Sequence, residues 1–325
     1  MLEIINQSHD PFFNLALEEY LLNRRDIKED IFLLWQNRPV VVVGRNQNTL
    51  EEINLEYIRT HNIEVVRRIS GGGAVYHDLG NLNFTFIADE RKSATLNFTR
   101  FTAPVIQALA QIGIKAENQG RNDITIEGKK FSGNAQCIMH GRVMHHGTIL
   151  FDTNMKDMQE ALNVDQDKIA SKGVKSVRSR VTNIKDYLSE PISIEEFKEI
   201  LSSTIDQNRE IRELTPTELA AVNALRENKY LRWEWVYGSS PPFNVHKSAR
   251  FDWGKIDFRI DVKKGIIANC KIYGDFFTTG TPGLLEQALI GIPYRQKDLH
   301  QALESINIST YIPGANLDDI LALLI

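Results

Sequence analysis

The chain has 325 residues, 42% of them hydrophobic and 25% charged, with a formal net charge of −4. This suits an ordinary globular protein with one large domain and a smaller one, and the slightly acidic balance excludes a general nucleic-acid binder, whose footprint is basic. Cys137 and Cys270 stand far apart and give no disulfide framework, as in a reducing compartment. No apolar run approaches the ~20 residues of a membrane span. The first residues lack the basic and long apolar regions of a signal peptide, so the expected location is cytoplasmic.

In chain order, Asp10-Pro11 reads as an N-cap and first helical position, opening a helix through Leu15, Glu18, Glu19 and Leu22. Ile31–Trp35 and Val40–Val43 read as buried strands, the second closed by Gly44. A short helix is expected over 54–61, and strands at 64–69 and 82–87 flank a glycine-rich loop. Residues 99–112 form an amphipathic helix ending at Gly113. Asp123–Ile126 alternates, Glu127-Gly128 makes a tight hairpin turn, and Lys129–Phe131 begins the return strand. Val143–Phe151 is another strand. Thr215-Pro216-Thr217-Glu218 is a capping box opening a helix through about Leu225. Gly, Ser and Pro then cluster at 238–246, which is linker composition. Beyond it lie strands at 256–262 and 266–273, a helix opened by Thr281-Pro282 and closed by Gly291, and a helix across 297–305. The expected division is residues 1–243 and 244–325.

Residues 67–76 carry the most information: Arg-Arg-Ile-Ser-Gly-Gly-Gly-Ala-Val-Tyr. Three successive glycines are entropically costly and mark a close approach of backbone to something. The arginines before them point to an anion, since glycine-turn N–H groups cradle phosphate oxygens and arginine adds bidentate recognition. The run is neither a P-loop, which needs Lys-Ser/Thr after its last glycine, nor a G-x-G-x-x-G dinucleotide fingerprint. Three further segments stand out: Gly120-Arg121-Asn122-Asp123; Lys129-Lys130-Phe131-Ser132-Gly133-Asn134-Ala135, whose small residues again imply close approach; and a basic run from Lys172 through Lys175, Arg178 and Arg180 to Asn183. His145-His146 lie next to each other on a strand and face opposite ways, so they do not ligate one metal; one is expected in the cleft and the other in packing.

Taken in order, these motifs resemble the lipoate–protein ligases of the biotin/lipoate protein ligase superfamily. The resemblance starts at Asp10–Glu19 and passes through Arg67–Asn81, Gly120–Asp123, Lys130–Gln136, His145–Thr148 and the basic run. It ends in a tail whose Phe251–Gly254 and Ile272–Phe277 look like that family's accessory domain. It implies an α+β fold: a large domain with a mixed sheet and flanking helices, and a small α+β accessory domain. It implies ATP-dependent activation of lipoate to lipoyl-AMP and transfer to a lysine of acceptor proteins, namely E2 subunits of 2-oxoacid dehydrogenases and the glycine cleavage H protein. Neither step needs a protein nucleophile; both need anions held together and charge neutralised.

Residue by residue, the resemblance makes Lys130 the catalytic residue, contacting the lipoate carboxylate and the α-phosphate. Arg68, Gly71, Gly72, Gly73, Ala74, Val75, Tyr76, Asn122, Asp123, Ser132, Gly133, Ala135, His146, Lys172 and Arg178 would bind lipoate and ATP. Asp123 is the expected Mg²⁺ ligand, that ion taking one or two carboxylates plus phosphate oxygens. The rivals are a lipoyl or octanoyl transferase acting through a cysteine thioester, and a non-catalytic lipoate-binding module. Cys137 lies downstream of the lysine motif, whereas the relevant transferases carry their cysteine upstream, where this chain has Arg121-Asn122-Asp123.

Overall fold

The computed structural model describes residues 1–325 except 48, 90–96, 163–180, 238–244, 264, 280–281 and 325. Its strands are β1 (Leu2–Ile4), β2 (Ile31–Trp35), β3 (Val40–Val43), β4 (Glu64–Arg67), β5 (Val75–His77), β6 (Asn81–Asp89), β7 (Glu117–Gln119), β8 (Asp123–Ile126), β9 (Lys129–Met139), β10 (Arg142–Leu150), β11 (Glu210–Arg212), β12 (Val245–Phe251), β13 (Gly254–Lys263) and β14 (Ile266–Gly274). Among the described residues they make three sheets. The largest runs β11-β1-β2-β6-β10-β9-β8-β7 and is mixed, with β1 parallel to both its neighbours and the other pairs antiparallel. A small sheet runs β4-β3-β5, and a third, antiparallel, runs β12-β13-β14.

Period-2 alternation gives the large sheet two apolar faces. Leu33, Ile87 and Met144 pack under the helix Pro11–Asn23 through Leu17, Leu21 and Leu22. Phe32, Phe86 and Val143 face the other way, against Phe101 and Val105 of the helix Phe98–Gln111 and Phe197 and Leu201 of the helix Ile194–Ile205. Phe32 and Phe86 are cross-strand partners with ring centroids 5.0 Å apart, a pair that helps set the register. A separate core, with Trp253, Phe258, Leu285, Leu299 and Ile320, lies wholly within residues 245–324.

Local chemistry set several elements as expected. Asp10 caps the first helix by accepting from the Phe12 N–H at 2.9 Å. Glu127 and Gly128 both take positive φ, +52° and +76°, as a two-residue hairpin turn requires. Thr215 and Glu218 form the reciprocal capping box. Other elements differ. The strand after the glycine loop is the short β5; residues 82–87 belong to β6 in the large sheet. β1 and β12 were not foreseen. β12 alternates half-buried and exposed residues and owes its place to pairing with β13. The helices Ile308–Tyr311 and Leu317–Leu324 were also missed. Thr281 and most of the 238–246 linker lie outside the described residues.

The Asp10 carboxylate also takes the Arg226 guanidinium at 2.7 Å, tying the first helix to the segment after the capping-box helix. Asp10→Ala should therefore cost about 1–2 kcal/mol of stability, measured by urea denaturation. An unchanged midpoint would show that the cap contributes nothing.

Candidate active site

The β9–β10 pairing builds one wall of a cavity. His146 lies opposite Ala135, and the Thr148 hydroxyl accepts from the Gly133 N–H at 3.1 Å, so these four residues share a face. The cavity, about 320 Å³, is lined at one end by apolar side chains, Leu15, Trp35, Val42 and Val75, and elsewhere by polar groups, among them Asn122, Asp123 and Lys130. That combination of a greasy slot and a few convergent charges is typical of a small-molecule site. The Lys130 ammonium donates to the Asp123 carboxylate at 2.7 Å. The backbone carbonyl of Lys130 accepts from the Thr182 N–H at 2.9 Å, and Lys130 bridges Val181 in parallel fashion.

The floor is a buried polar chain. The Trp35 indole N–H donates to the Thr85 hydroxyl at 2.9 Å, and Thr85 donates to Glu18 at 2.5 Å. Glu18 lies 2.9 Å from His146 Nδ1, and His146 Nε2 lies 2.7 Å from Ser70 Oγ. A carboxylate can only accept here, which puts an imidazole proton on Nδ1. Ser70 Oγ in turn accepts from Arg68 Nε at 3.0 Å. Three more Arg68 N–H groups donate to the carbonyls of Val42 (3.1 Å), Gly71 (2.8 Å) and Gly73 (2.8 Å). Burial pushes Arg68 down to about 10, so it remains a cation at neutral pH. It is thus the staple of the glycine loop. Gly72 takes φ +91°, a conformation glycine adopts without strain. Arg67 points away from the cavity and donates to the carbonyls of Gly44, Gln47, Trp235 and Val236.

The C-terminal part reaches the cavity with a few residues. Arg250 and Asp275 line the cavity. The Phe276 carbonyl accepts from the Gly72 N–H at 3.4 Å, and Arg121 donates to the Trp253 carbonyl. The Arg121 guanidinium lies 4.4 Å from the Phe277 ring centroid, and Phe277 packs on Phe98 with centroids 5.4 Å apart.

Comparison with known proteins agrees with this architecture. The profile of the lipoyl protein ligase A/B catalytic domain matches residues 10–206, and that of the bacterial lipoate protein ligase C-terminus matches residues 240–324. The lipoate-protein ligase LplJ of Bacillus subtilis is 44% identical over the full length of both chains. Lipoate–protein ligase 1 of Staphylococcus aureus is 44% identical over 98% of each. The crystal structure of P. falciparum LipL1 in complex with lipoate superposes with a TM-score of 0.81 at 27% identity, covering 99% of this chain and 98% of that one. A lipoate-protein ligase A bound with ATP gives 0.62 at 25% identity, covering 73% of this chain and 98% of the other. The chain belongs to the lipoate–protein ligase family. It is an enzyme of that type, with the α+β fold of those structures.

The ligase brings together most of the residues singled out from its sequence. Arg68, Gly72, Gly73, Ala74, Val75, Asn122, Asp123, Lys130, Gly133, Ala135 and His146 all line the cavity. Three do not. Tyr76 alternates away from Val75 and His77 and is buried with Val41, Val43 and Leu150 in a different core. Ser132 faces away beside Gly133 and accepts from the Asn134 amide at 3.2 Å. Gly71 lies against the Phe276 backbone, where a Cβ would collide with the carbonyl. Lys172 and Arg178 lie outside the described residues. His145 is buried between the rings of Phe84, Phe98 and Phe101.

Sequence reasoning missed Trp35, which read as strand core, His77, which was noted only within the resembling stretch, and the accessory residues Arg250 and Asp275. His77 Nδ1 accepts from the Asn37 amide at 3.1 Å, its buried Nε2 has no partner among the described residues, and the residue lines the cavity.

Burial, with the Arg68 charge adding to it, pushes His77 down from 6.5 to about 3; burial lowers His145 as well. Both imidazoles are therefore neutral in the fold at pH values where the unfolded chain protonates them. The stability each contributes is whole above pH 6.5 and falls as pH drops below it; for His77 the loss runs from there toward pH 3, at about 1.4 kcal/mol per pH unit. Urea denaturation between about pH 6.5 and pH 5, before carboxylates titrate, should give a shallower loss in His77→Gln than in the natural sequence. Equal slopes would mean that His77 protonates freely in the fold.

Proposed function

We propose that this ligase activates lipoate with ATP to lipoyl-AMP and passes the lipoyl group to a lysine of an acceptor protein. The observation that carries this reading is one cavity with two chemistries: an aliphatic slot at Leu15, Trp35, Val42 and Val75, and the Lys130–Asp123 pair with the glycine loop nearby. The slot takes the dithiolane ring and alkyl chain. The carboxylate then meets Lys130. One carboxylate oxygen attacks the α-phosphorus, the bond from that phosphorus to the bridging oxygen breaks, and pyrophosphate leaves with the electron pair. In the second step the acceptor's neutral ε-amine attacks the acyl carbon, AMP leaves with the carboxyl oxygen, and the nitrogen gives up a proton. Lys130 neutralises charge in both steps; when anions arrive, it exchanges the Asp123 carboxylate for them.

Asp123 fits a magnesium ion as its one protein carboxylate, since Mg²⁺ completes its shell with phosphate oxygens and water. No group of three acidic, histidine or cysteine side chains is poised to cage a metal among the described residues, so the ion would come with the nucleotide. When bound it supplies neutralisation of phosphate charge.

A thioester route is disfavoured by Cys137. It is buried among Leu21, Trp35 and Met144, does not line the cavity, and burial pushes its thiol up to about 12. The acceptors proposed are E2 subunits and the glycine cleavage H protein. The domain division proposed is 1–243 and 244–325, supported by the separate core of the second part. No helix among the described residues is long and apolar enough to cross a membrane; the cytoplasmic assignment rests on cysteine usage.

Pyrophosphate release with lipoate and ATP tests the reaction directly. Lys130→Ala should lower it about 10²–10³-fold, while Lys129→Ala, at the exposed start of β9, should not; equal losses would sink the assignment. Cys137→Ser should retain activity and no acyl-enzyme should survive denaturation. A thioester detected at Cys137 by intact mass would favour a transferase.

The Phe276 carbonyl occupies the Gly72 N–H, a donor aimed where a phosphate oxygen could accept. Adenylate formation is therefore expected to shift the accessory domain, because a ligand moves an equilibrium by its differential affinity for the two arrangements. Fluorescence energy transfer between labels on the two domains should change on forming lipoyl-AMP but not with lipoate alone. A constant distance in all states would make the accessory domain a static lid.

A further inference from the structure

The parity of β9 is wrong for its lysine. Lys130 and Gly133 are three residues apart, and on a regular strand an odd separation puts two residues on opposite faces. Yet Lys130 Nζ lies 2.8 Å, and its Cε 2.9 Å, from where a Cβ on Gly133 would stand. The register explains it. Ile124 pairs with Ser132, but the next residue, Thr125, pairs with Lys130, so Phe131 is an extra residue on β9. Two residues oppose one, which is a β-bulge, and bulges re-aim side chains. Phe131 drops into the core with Ile124 and Ile126, and Lys130 swings onto the face of Gly133.

We propose that the Phe131 bulge and the bare Cα of Gly133 together position the Lys130 ammonium. The bulge turns the lysine into the cleft, and the missing side chain gives its last two atoms a surface to lie on. Gly133 is then a positioning residue whose lack of a Cβ serves the lysine rather than clearance for a ligand. Its φ lies outside the left-handed region, so alanine is permitted by the backbone. The next nearest atom to an added methyl is Thr148 Oγ1 at 3.9 Å, an ordinary contact. Alanine here therefore displaces the lysine and little else. Gly147 is the contrast, since a Cβ there would run into the Asn134 amide and the Phe84 ring.

The inference rests on Lys130 being the residue that acts on the anions, and the test separates the two claims. In Gly133→Ala, kcat for pyrophosphate release should fall about 10²-fold, the cost of a misplacement near 1 Å. The thermal midpoint should stay where it is, and lipoate affinity by calorimetry should fall no further than it does in Lys130→Ala. Added to Lys130→Ala, Gly133→Ala should change the residual rate no further. Full activity in Gly133→Ala would overturn the proposal. So would a loss of fold, or a loss of lipoate affinity beyond that in Lys130→Ala, because the glycine would then serve packing or ligand clearance. An additive loss in the double variant would overturn it too. If Lys130→Ala itself stays active, the assignment of Lys130 fails. If Lys130→Ala is dead and Gly133→Ala is normal, only the positioning role fails.

Discussion

A buried guanidinium holds this cavity in shape. Arg68 spends four of its five N–H groups on one hydroxyl and three carbonyls. Two of those carbonyls, at Gly71 and Gly73, belong to a loop that has no side chains of its own to fix it. Taking such a charge out of water is costly unless every donor finds a partner, and here each neighbouring acceptor is a piece of the site. The chain of contacts continues through Ser70 and His146 to Glu18, so the loop, the cavity wall and the first helix are one hydrogen-bonded unit. Removing any member leaves a buried polar group unpaired, which is why the glycine loop can be both entropically loose in composition and rigid in place.

Much of this was legible in the residues. Asp10-Pro11, Glu127-Gly128 and Thr215–Glu218 each carry their own local chemistry, and local chemistry decided them. The lysine motif and the glycine run were legible as a site because small residues beside cations have few structural uses. What failed was the step from motif to face. Tyr76 and Ser132 were counted with their neighbours although a strand turns alternate residues away. Trp35 was invisible for the converse reason: in a strand of apolar neighbours, a cleft-facing residue reads as core. The bulge at Phe131 could not be seen at all, because register is a property of the partner strand.

The accessory part contributes to the site through backbone as much as side chain. The carbonyls of Phe276 and Trp253 meet Gly72 and Arg121, and neither contact depends on the identity of the residue that supplies it. Such an interface tolerates sequence drift while keeping its geometry. Beside these polar contacts, Phe277 packs on Phe98 and under the Arg121 guanidinium. The cores on either side are separate.

The bridge between Lys130 and Val181 has a bearing on solubility. β10 pairs with β9 only as far as Asn134, so the start of β9 would otherwise present bare N–H and C=O groups beside the cleft. An unpaired strand edge is a template for another chain's backbone. Thr182 closes it by donating to the Lys130 carbonyl. The amine that has to meet incoming substrates therefore hangs from a residue whose carbonyl is already taken on this edge, so a visiting polypeptide finds less there to add itself to.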